Sequence, residues 1–129
     1  MSVYNGEIFL KKSIESILKQ TFHDFEFIII NDGSDDTSWE IITEYHNNDS
    51  RIVPITQKNI GLTKSLNKGL RLAKGKYIAR QDADDFSNSN RLEIQANWFK
   101  NHSDGVLVGS WGKRIKQNGY YALKQKNNP

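Results

Sequence analysis

The residues with the clearest capacity for chemistry are Asp82 and Asp84, which are separated by a single alanine. In an extended segment, residues i and i+2 point to the same side, so these carboxylates could hold one divalent cation. Alternatively, one carboxylate could hold the metal while the other binds a ligand hydroxyl. Magnesium typically takes one or two carboxylates and leaves its other positions to water and substrate phosphates. Such a site suits a nucleotide diphosphate, because the metal offsets its charge as it leaves.

The spacing of this aspartate pair is a weak signal by itself. The chain contains nine aspartates, which give roughly half an expected pair of this spacing by chance. A solvated loop or a helix N-cap would explain the two residues equally well. The context favours a ligand site, because the pair directly follows residues 77–80, which have the composition of a buried strand.

Two other polar segments are candidates for binding a nucleotide. In the segment 31–34, Asp32 could accept a hydrogen bond from a base N–H, and Gly33 would let the backbone turn close to a ligand. Ordinary turn chemistry explains this segment equally well. In the segment 4–6, Tyr4 could stack on a nucleobase, although an ordinary loop aromatic is the alternative.

The elements that must position these residues alternate between strand and helix, which predicts an α/β fold with a mainly parallel sheet flanked by helices. Runs of β-branched and aromatic residues predict strands at 25–30, 52–55, 77–80 and 106–110. Pro54 places the second of these at a sheet edge or a strand end. Helical spacing of apolar residues predicts helices at 8–20, 38–46, 62–73 and 91–102. A hairpin turn is expected at 117–119, before 120–122.

These elements form a single predicted domain over residues 1–129, without repeats or linkers. Ligands of parallel sheets bind beyond the carboxyl ends of the strands. Two of the predicted strands end in the acidic segments that contain Asp32 and Asp84. We therefore expect both carboxylates to face one shared pocket.

Composition and charge narrow the class of protein. The chain has no cysteine, which excludes disulfides and thiolate zinc sites, and its three histidines lack metal-ligand spacing. It also lacks a signal-peptide pattern and an apolar run of the ~20 residues that span a bilayer. The net charge is +3, and no acidic residue follows Asp104. This basic end suits an anionic membrane surface or is simply solvated, and no aromatic interleaving suggests nucleic acid. We expect a cytoplasmic protein, at the inner face of the membrane if the basic end binds lipid.

The ordered set of motifs resembles the family 2 glycosyltransferases along nearly the whole chain. No single motif is diagnostic, but their order and spacing are specific. The segments that carry the resemblance are 3–6 (VYNG), 13–22 (SIESILKQTF), 25–34 (FEFIIINDGS), 59–62 (NIGL), 73–79 (AKGKYIA) and 82–85 (DADD).

The resemblance implies a GT-A (Rossmann-like) fold and a metal-dependent inverting transfer. The sugar would pass from a nucleotide-sugar donor, a UDP-sugar in our expectation, to a hydroxyl of a saccharide or glycolipid acceptor in polysaccharide or glycoconjugate synthesis. Carried over by position, the nucleotide-binding residues are Tyr4, Asn5, Asp32, Gly33 and Asp82. Tyr4 would stack on the base and Asp32 would hydrogen-bond it, while Asp84, with Asp82, would bind Mg²⁺ or Mn²⁺.

The chain departs from the family pattern at both ends, so we expect a domain truncated at both ends. Only residues 1–3 remain of the usual first strand, which leads us to expect marginal stability or self-association into a homo-oligomer. Inverting transfer needs a general base, and only Glu93 and Asp104 follow Asp85 as acidic residues. Neither matches the family's base, so we expect donor binding with weak or absent transfer. The alternatives are a non-catalytic nucleotide-binding module and another α/β enzyme with an acidic metal pocket.

Overall fold

The structure is a computed structural model that describes residues 1–110, 112–116 and 119–121. Its helices are α1 (Glu7–Leu18), α2 (Ser38–Asn48), α3 (Leu62–Leu72) and α4 (Arg91–Asn101). Its strands are β1 (Ser2–Val3), β2 (Phe27–Asp32), β3 (Ile52–Gln57), β4 (Arg114–Lys116) and β5 (Gly119–Tyr121). The predicted α/β fold with a parallel sheet flanked by helices is therefore confirmed.

The parallel sheet has the strand order β1-β2-β3, with β2 in the middle. In the register, Ser2 lies opposite Ile30, and Phe27 lies opposite Ile52. Pro54 lies on β3, which is an outer strand of this sheet, as its missing N–H requires. The strand β2 begins two residues later than predicted and continues to Asp32, because its last two residues pair with the end of β3.

The hydrophobic core lies between this sheet and the helices α1 and α2. The side chains of Leu10 and Ile14 on α1 and Ile42 on α2 are completely buried, as is Ile29 on β2. This packing follows from the apolar stripe of α1 and from the continuous apolar run of β2, which is covered on both faces. The core therefore fixes the carboxyl end of β2 and the start of α1, which are the two places where candidate site residues lie.

Two predicted strands, 77–80 and 106–110, are wrong: the structure has neither. A strand needs a neighbour of comparable length to satisfy its backbone, and β1 has only two residues. Ile78 is accordingly 56% exposed and Val106 is 95% exposed. Residues 114–116 and 119–121 do form an antiparallel pair, whereas 117, 118 and 122 of the predicted hairpin lie outside the described residues.

The helix α3 packs through small residues, and not through the leucines that its spacing indicated. Ser65 is completely buried, and a Cβ on Gly69 would lie 3.5 Å from the Cδ1 atom of Ile30. Leu62 and Leu70 are each 52% exposed. The close approach of α3 to β2 leaves room only for small side chains, so the leucine stripe is turned partly to the solvent. Within the described residues, none of the helices is sufficiently long and apolar to traverse a bilayer.

Candidate functional site

A cleft of about 370 Å³ lies at the carboxyl end of β1, between the segments 4–6 and 82–84. It contains four of the residues predicted from the sequence, namely Tyr4, Asn5, Asp82 and Asp84. The remaining lining residues are Ser2, Gly6, Phe9, Leu62 and Ala83. Asp32 and Gly33 do not line it, so the structure unites only part of the predicted site in one cavity.

Hydrogen bonds join the segment 4–6 to the loop that follows β2. The backbone N–H of Asn5 donates to the Ser34 hydroxyl (3.0 Å), and the Asn5 side-chain oxygen accepts from the Asp35 N–H (3.0 Å). Gly6 donates its N–H to the Ser38 hydroxyl at 2.9 Å. Asn5 itself has a φ of 50°, a conformation that asparagine tolerates better than most residues. These bonds hold the backbone beside Tyr4, whose side chain remains 55% exposed and free to meet a ligand.

The N-terminal ends of α1 and α2 cap each other through a reciprocal pair of carboxylates. Asp36 accepts the N–H of Glu7 (3.0 Å) and that of Ser38 (2.9 Å). Glu7 in turn accepts both the N–H and the hydroxyl of Thr37 (3.1 and 2.7 Å). Burial alone would raise the pKa of Asp36, but the hydrogen bonds from Ser38 and Glu7 hold it below its usual value. The two helix starts beside the cleft are therefore fixed relative to each other.

Asp32 is buried, and its carboxylate bonds to the chain's own donors. One oxygen accepts from the Gln57 side chain (2.7 Å) and the Ile60 N–H (3.0 Å), and the other accepts from the Gly61 N–H (2.9 Å). Burial opposes the charge, yet the hydrogen bonds from Gln57 and the loop N–H groups keep the Asp32 pKa below its usual value. In this structure Asp32 holds the loop that leads to Leu62 in the cleft, and its contact with a base stays a prediction.

Sequence reasoning missed the polar network that surrounds Asp32. The Gln57 side chain donates to both Asp32 and the Ser65 hydroxyl (2.8 Å), and its oxygen accepts from the Lys68 ammonium at 2.7 Å. The available signal was a glutamine at the end of an otherwise apolar strand, together with a serine on the inward face of α3. Each residue is unremarkable alone, so only the pairing in three dimensions reveals the network.

The acidic segment 82–85 is anchored to α1 by buried polar side chains. The Ser13 hydroxyl donates to the backbone oxygen of Asp82 at 3.0 Å, and the buried Gln81 side chain donates to the backbone oxygen of Asp85 at 2.7 Å. The Gln20 side chain donates to the backbone oxygen of Asn88 at 2.7 Å. Ser13 lies on the apolar face of α1 and Gln20 lies two residues after its end, and the polarity of Ser13 there could have indicated such an anchor. The main chain of the acidic segment is therefore held independently of its carboxylates.

The carboxylates of this segment differ in their surroundings. Both oxygens of Asp82 accept from the Arg80 guanidinium, at 2.9 Å each, whereas the Asp84 side chain is exposed. Partial burial of the Asp85 carboxyl, with the negative charges of Asp84 and Asp82 nearby, raises the Asp85 pKa. The segment thus concentrates negative charge beside the cleft. A cation there would relieve this repulsion.

Gly33 and Gly61 form a natural test of the loop geometry, since both have positive φ (76° and 87°). A Cβ on Gly33 would lie 2.6 Å from the Asn59 backbone nitrogen, whereas a Cβ on Gly61 would meet nothing within 4 Å. We expect Gly61→Ala to cost about 1–3 kcal/mol of folding free energy from backbone strain alone, since its positive φ together with its ψ of 157° is a conformation that is nearly restricted to glycine. Gly33→Ala adds overpacking and should cost about 2–5 kcal/mol. Thermal melts of both variants measure the difference, and equal losses would contradict the close approach to Asn59.

Acid should destabilise the fold, because several carboxylates have lowered pKa values. The pKa values of Asp32 and Asp36 are lowered as described, and the Arg51 guanidinium lowers that of Asp49. A group with a lowered folded pKa stabilises the fold above its unfolded pKa of ~3.9, and this contribution is lost as the pH falls through the folded value. The raised pKa of Asp85 has the opposite effect on stability as the pH falls. We expect the three carboxylates with lowered pKa values to outweigh this single group. Melting temperatures measured from pH 7 to pH 2.5 should fall below about pH 4, and a constant value would refute this expectation.

The chain is similar in sequence to known glycosyltransferases. The sequence model of the family described as Glycosyl transferase family 2 matches residues 1–129. An uncharacterized glycosyltransferase of Methanocaldococcus jannaschii is 45% identical over 92% of the chain and 42% of its own length. The glycosyltransferase GlyA of Streptococcus pneumoniae is 36% identical over 84% of the chain and 16% of its own length. The chain thus spans less than half the length of these relatives.

A solved structure gives the same picture of the fold. Residues 1–349 of S. aureus TarS, in complex with UDP, superpose with a TM-score of 0.73 at 27% identity. The match covers 79% of this chain and 31% of the TarS chain. TarS has a GT-A fold, so the GT-A fold that the sequence motifs imply for this chain is confirmed.

Proposed function

The chain belongs to glycosyl transferase family 2, and on that premise we propose that its cleft binds the nucleotide diphosphate of a nucleotide-sugar donor, with Mg²⁺ or Mn²⁺. The donor is a UDP-sugar, and the reaction is an inverting transfer of the sugar to a hydroxyl of a saccharide or glycolipid acceptor. The chain supplies the donor-binding part of this reaction.

The observation that carries the proposal is the chemistry of the cleft lining. The lining residues include an aromatic residue, Tyr4, and two acidic residues, Asp82 and Asp84. The volume of about 370 Å³ is within the usual range for small-molecule sites, ~300–1,000 Å³. A ring face suits a nucleobase, and a pair of carboxylates suits a cation that neutralises phosphates. The similarity to TarS, a protein crystallised with UDP, supports the same ligand class.

The residues of the cleft fit a magnesium or manganese ion. Within the described part of the chain, no group of three or more His, Cys, Asp or Glu side chains could form a protein cage for a metal. Magnesium does not need such a cage, because one or two carboxylates are enough when water and substrate phosphates complete its shell. Asp82 and Asp84 would hold the ion. When bound, it would offset the charge of the diphosphate and stabilise it as a leaving group.

The protein's own side chains divide the remaining work of donor binding. Tyr4 stacks on the base, and Asn5 fixes the backbone beside it through its bonds to Ser34 and Asp35. Asp32 is buried and holds the loop before Leu62, so the contact with the base in our proposal requires that this loop move away from the carboxylate. Gly33, with its positive φ, allows the chain to turn tightly between Asp32 and Ser34.

Among the described residues, neither Glu93 nor Asp104 is placed to act as a general base in the cleft. Glu93 accepts a hydrogen bond from the Thr21 hydroxyl at 2.7 Å, which ties α4 to the end of α1. Asp104 is exposed, and neither carboxylate lines the cleft. We therefore assign donor binding to this part of the fold and leave proton abstraction unassigned.

Calorimetric titration of the chain with UDP, GDP and dTDP, each with and without Mn²⁺, tests the proposal. We expect UDP to bind more tightly with Mn²⁺ than without it, because Asp82 and Asp84 would hold the ion and the ion would offset the charge of the diphosphate. We also expect UDP to bind more tightly than GDP and dTDP, because the donor in our proposal is a UDP-sugar. A chain that binds none of the three nucleotides in the presence of Mn²⁺ would overturn the proposal.

A further inference from the structure

An ion pair beside the cleft joins the guanidinium of Arg80 to the carboxylate of Asp82. Two parallel hydrogen bonds, each of 2.9 Å, connect them. This bidentate geometry covers both oxygens of the carboxylate with a planar, permanently charged fork. The Asp82 carboxylate is therefore already paired with a positively charged side chain of the protein itself.

We propose that Arg80 competes with the divalent cation for the Asp82 carboxylate, so that the ion must displace the guanidinium when it binds. The inference rests on the proposed function, since it assumes that Asp82 takes part in binding the ion. Arg80 is a positioning residue in this account: it occupies the carboxylate in the cation-free protein and sets the affinity for the ion.

Electrostatics disfavours the simultaneous binding of both cations to the same carboxylate. A metal ion on an oxygen of Asp82 would lie within a few ångström of a guanidinium bound to the same carboxylate. Like charges at that distance repel each other, most strongly where water is partly excluded. The site would accept the ion most readily after the fork has left.

The surroundings of Arg80 allow this departure without rearranging the backbone. Its side chain is 61% exposed, so it can move into the solvent. The backbone oxygen of Arg80 accepts from the Arg91 guanidinium at 3.1 Å, and the backbone oxygen of Asp82 accepts from Ser13 at 3.0 Å. Both backbone anchors are independent of the Arg80 side chain. The exchange is therefore confined to side chains.

The test is the affinity of the chain for Mn²⁺ alone, measured by electron paramagnetic resonance of the free ion. Arg80→Gln removes the competing charge, and Lys76→Gln removes an equal charge from the same segment. Lys76 lies over the Tyr77 ring, 5.2 Å from its centroid, so it is a matched control. We expect Arg80→Gln to tighten Mn²⁺ binding by about two- to fivefold, the range that an exposed ion pair supports. Lys76→Gln should change it by less than twofold, because a distant exposed charge is screened.

A third variant distinguishes competition for the Asp82 carboxylate from a general effect of positive charge near the cleft. Arg80→Lys keeps the charge but loses the bidentate fork, so its Mn²⁺ affinity should fall between those of the wild type and Arg80→Gln. Equal affinities of Arg80→Gln and Lys76→Gln would overturn the proposal, as would weaker binding by Arg80→Gln. If the wild type and Arg80→Gln both fail to bind Mn²⁺, the metal part of the proposed function fails as well. Melting temperatures of all variants confirm that each is folded.

Discussion

Replacing Asp84 by alanine is expected to abolish the part of UDP binding that depends on Mn²⁺. Asp84 is exposed and lines the cleft, so its carboxylate is free to bind an ion without first breaking a bond within the protein. Its removal leaves Asp82 as the remaining cleft carboxylate, and Asp82 is engaged by Arg80. We expect at least a tenfold loss of affinity in Mn²⁺, or about 1.4 kcal/mol. Binding without Mn²⁺ should change little, and calorimetric titration measures both quantities.

Asp35→Ala is the matched control for this experiment. Asp35 is also an exposed aspartate near the cleft, but it does not line it, and only its backbone N–H bonds to Asn5. The control should retain the metal-dependent part of binding. Asp84→Asn keeps the shape of the side chain and removes its charge, so it should behave like Asp84→Ala. Metal-dependent binding that survives in both Asp84 variants would remove Asp84 from the set of ligands.

Replacing Asp32 by alanine should produce the largest loss of stability. The change deprives the Gln57 side chain and the N–H groups of Ile60 and Gly61 of their acceptor. A donor that loses its partner in a partly buried site costs up to about 1–3 kcal/mol, and relaxation of the loop and access of water to the exposed residues Ile60 and Gly61 recover part of this. We expect a total loss of about 3–5 kcal/mol, which is a large share of the ~5–15 kcal/mol that stabilises a typical domain. Urea denaturation monitored by circular dichroism measures the loss.

Two variants distinguish a structural role of Asp32 from a simple change of charge. Asp32→Asn keeps one acceptor oxygen, so its loss of stability should be smaller than that of Asp32→Ala. Asp35→Ala removes an exposed aspartate three residues away and should change stability by less than ~0.5 kcal/mol. An Asp32→Ala variant as stable as the wild type would contradict the hydrogen-bonded network around Gln57.

Local sequence patterns predicted the elements whose formation depends on their own residues. The apolar stripe of α1 predicted a helix that buries Leu10 and Ile14, and the apolar run of β2 predicted a strand covered on both faces. Asp82 and Asp84 both line the cleft, but the chain forms a turn at residues 83–84, and not the extended segment from which their common side was predicted. For α1 and β2 the decisive apolar positions lie within the element itself and repeat with its period.

Features that depend on distant partners could not be predicted in this way. The composition of residues 77–80 favours a strand, but a strand forms only where a neighbour pairs with it, and the two residues of β1 are insufficient. Asp32 finds its partners 25 to 29 residues away in the chain. Nothing in the turn sequence around Gly33 reveals those partners, so the burial of Asp32 becomes visible only in three dimensions. The pairing of Arg80 with Asp82 could have been predicted from the sequence, because residues i and i+2 share a side in extended backbone.

The most direct measurement is anomalous X-ray diffraction from crystals of the chain grown with UDP and Mn²⁺. The anomalous signal locates manganese without reference to the protein atoms. We predict one manganese ion in the cleft, bound by the carboxylates of Asp82 and Asp84 and by the diphosphate, with the uracil ring against Tyr4. Manganese found away from residues 82–84, or UDP bound away from Tyr4, would contradict the proposed role of the cleft.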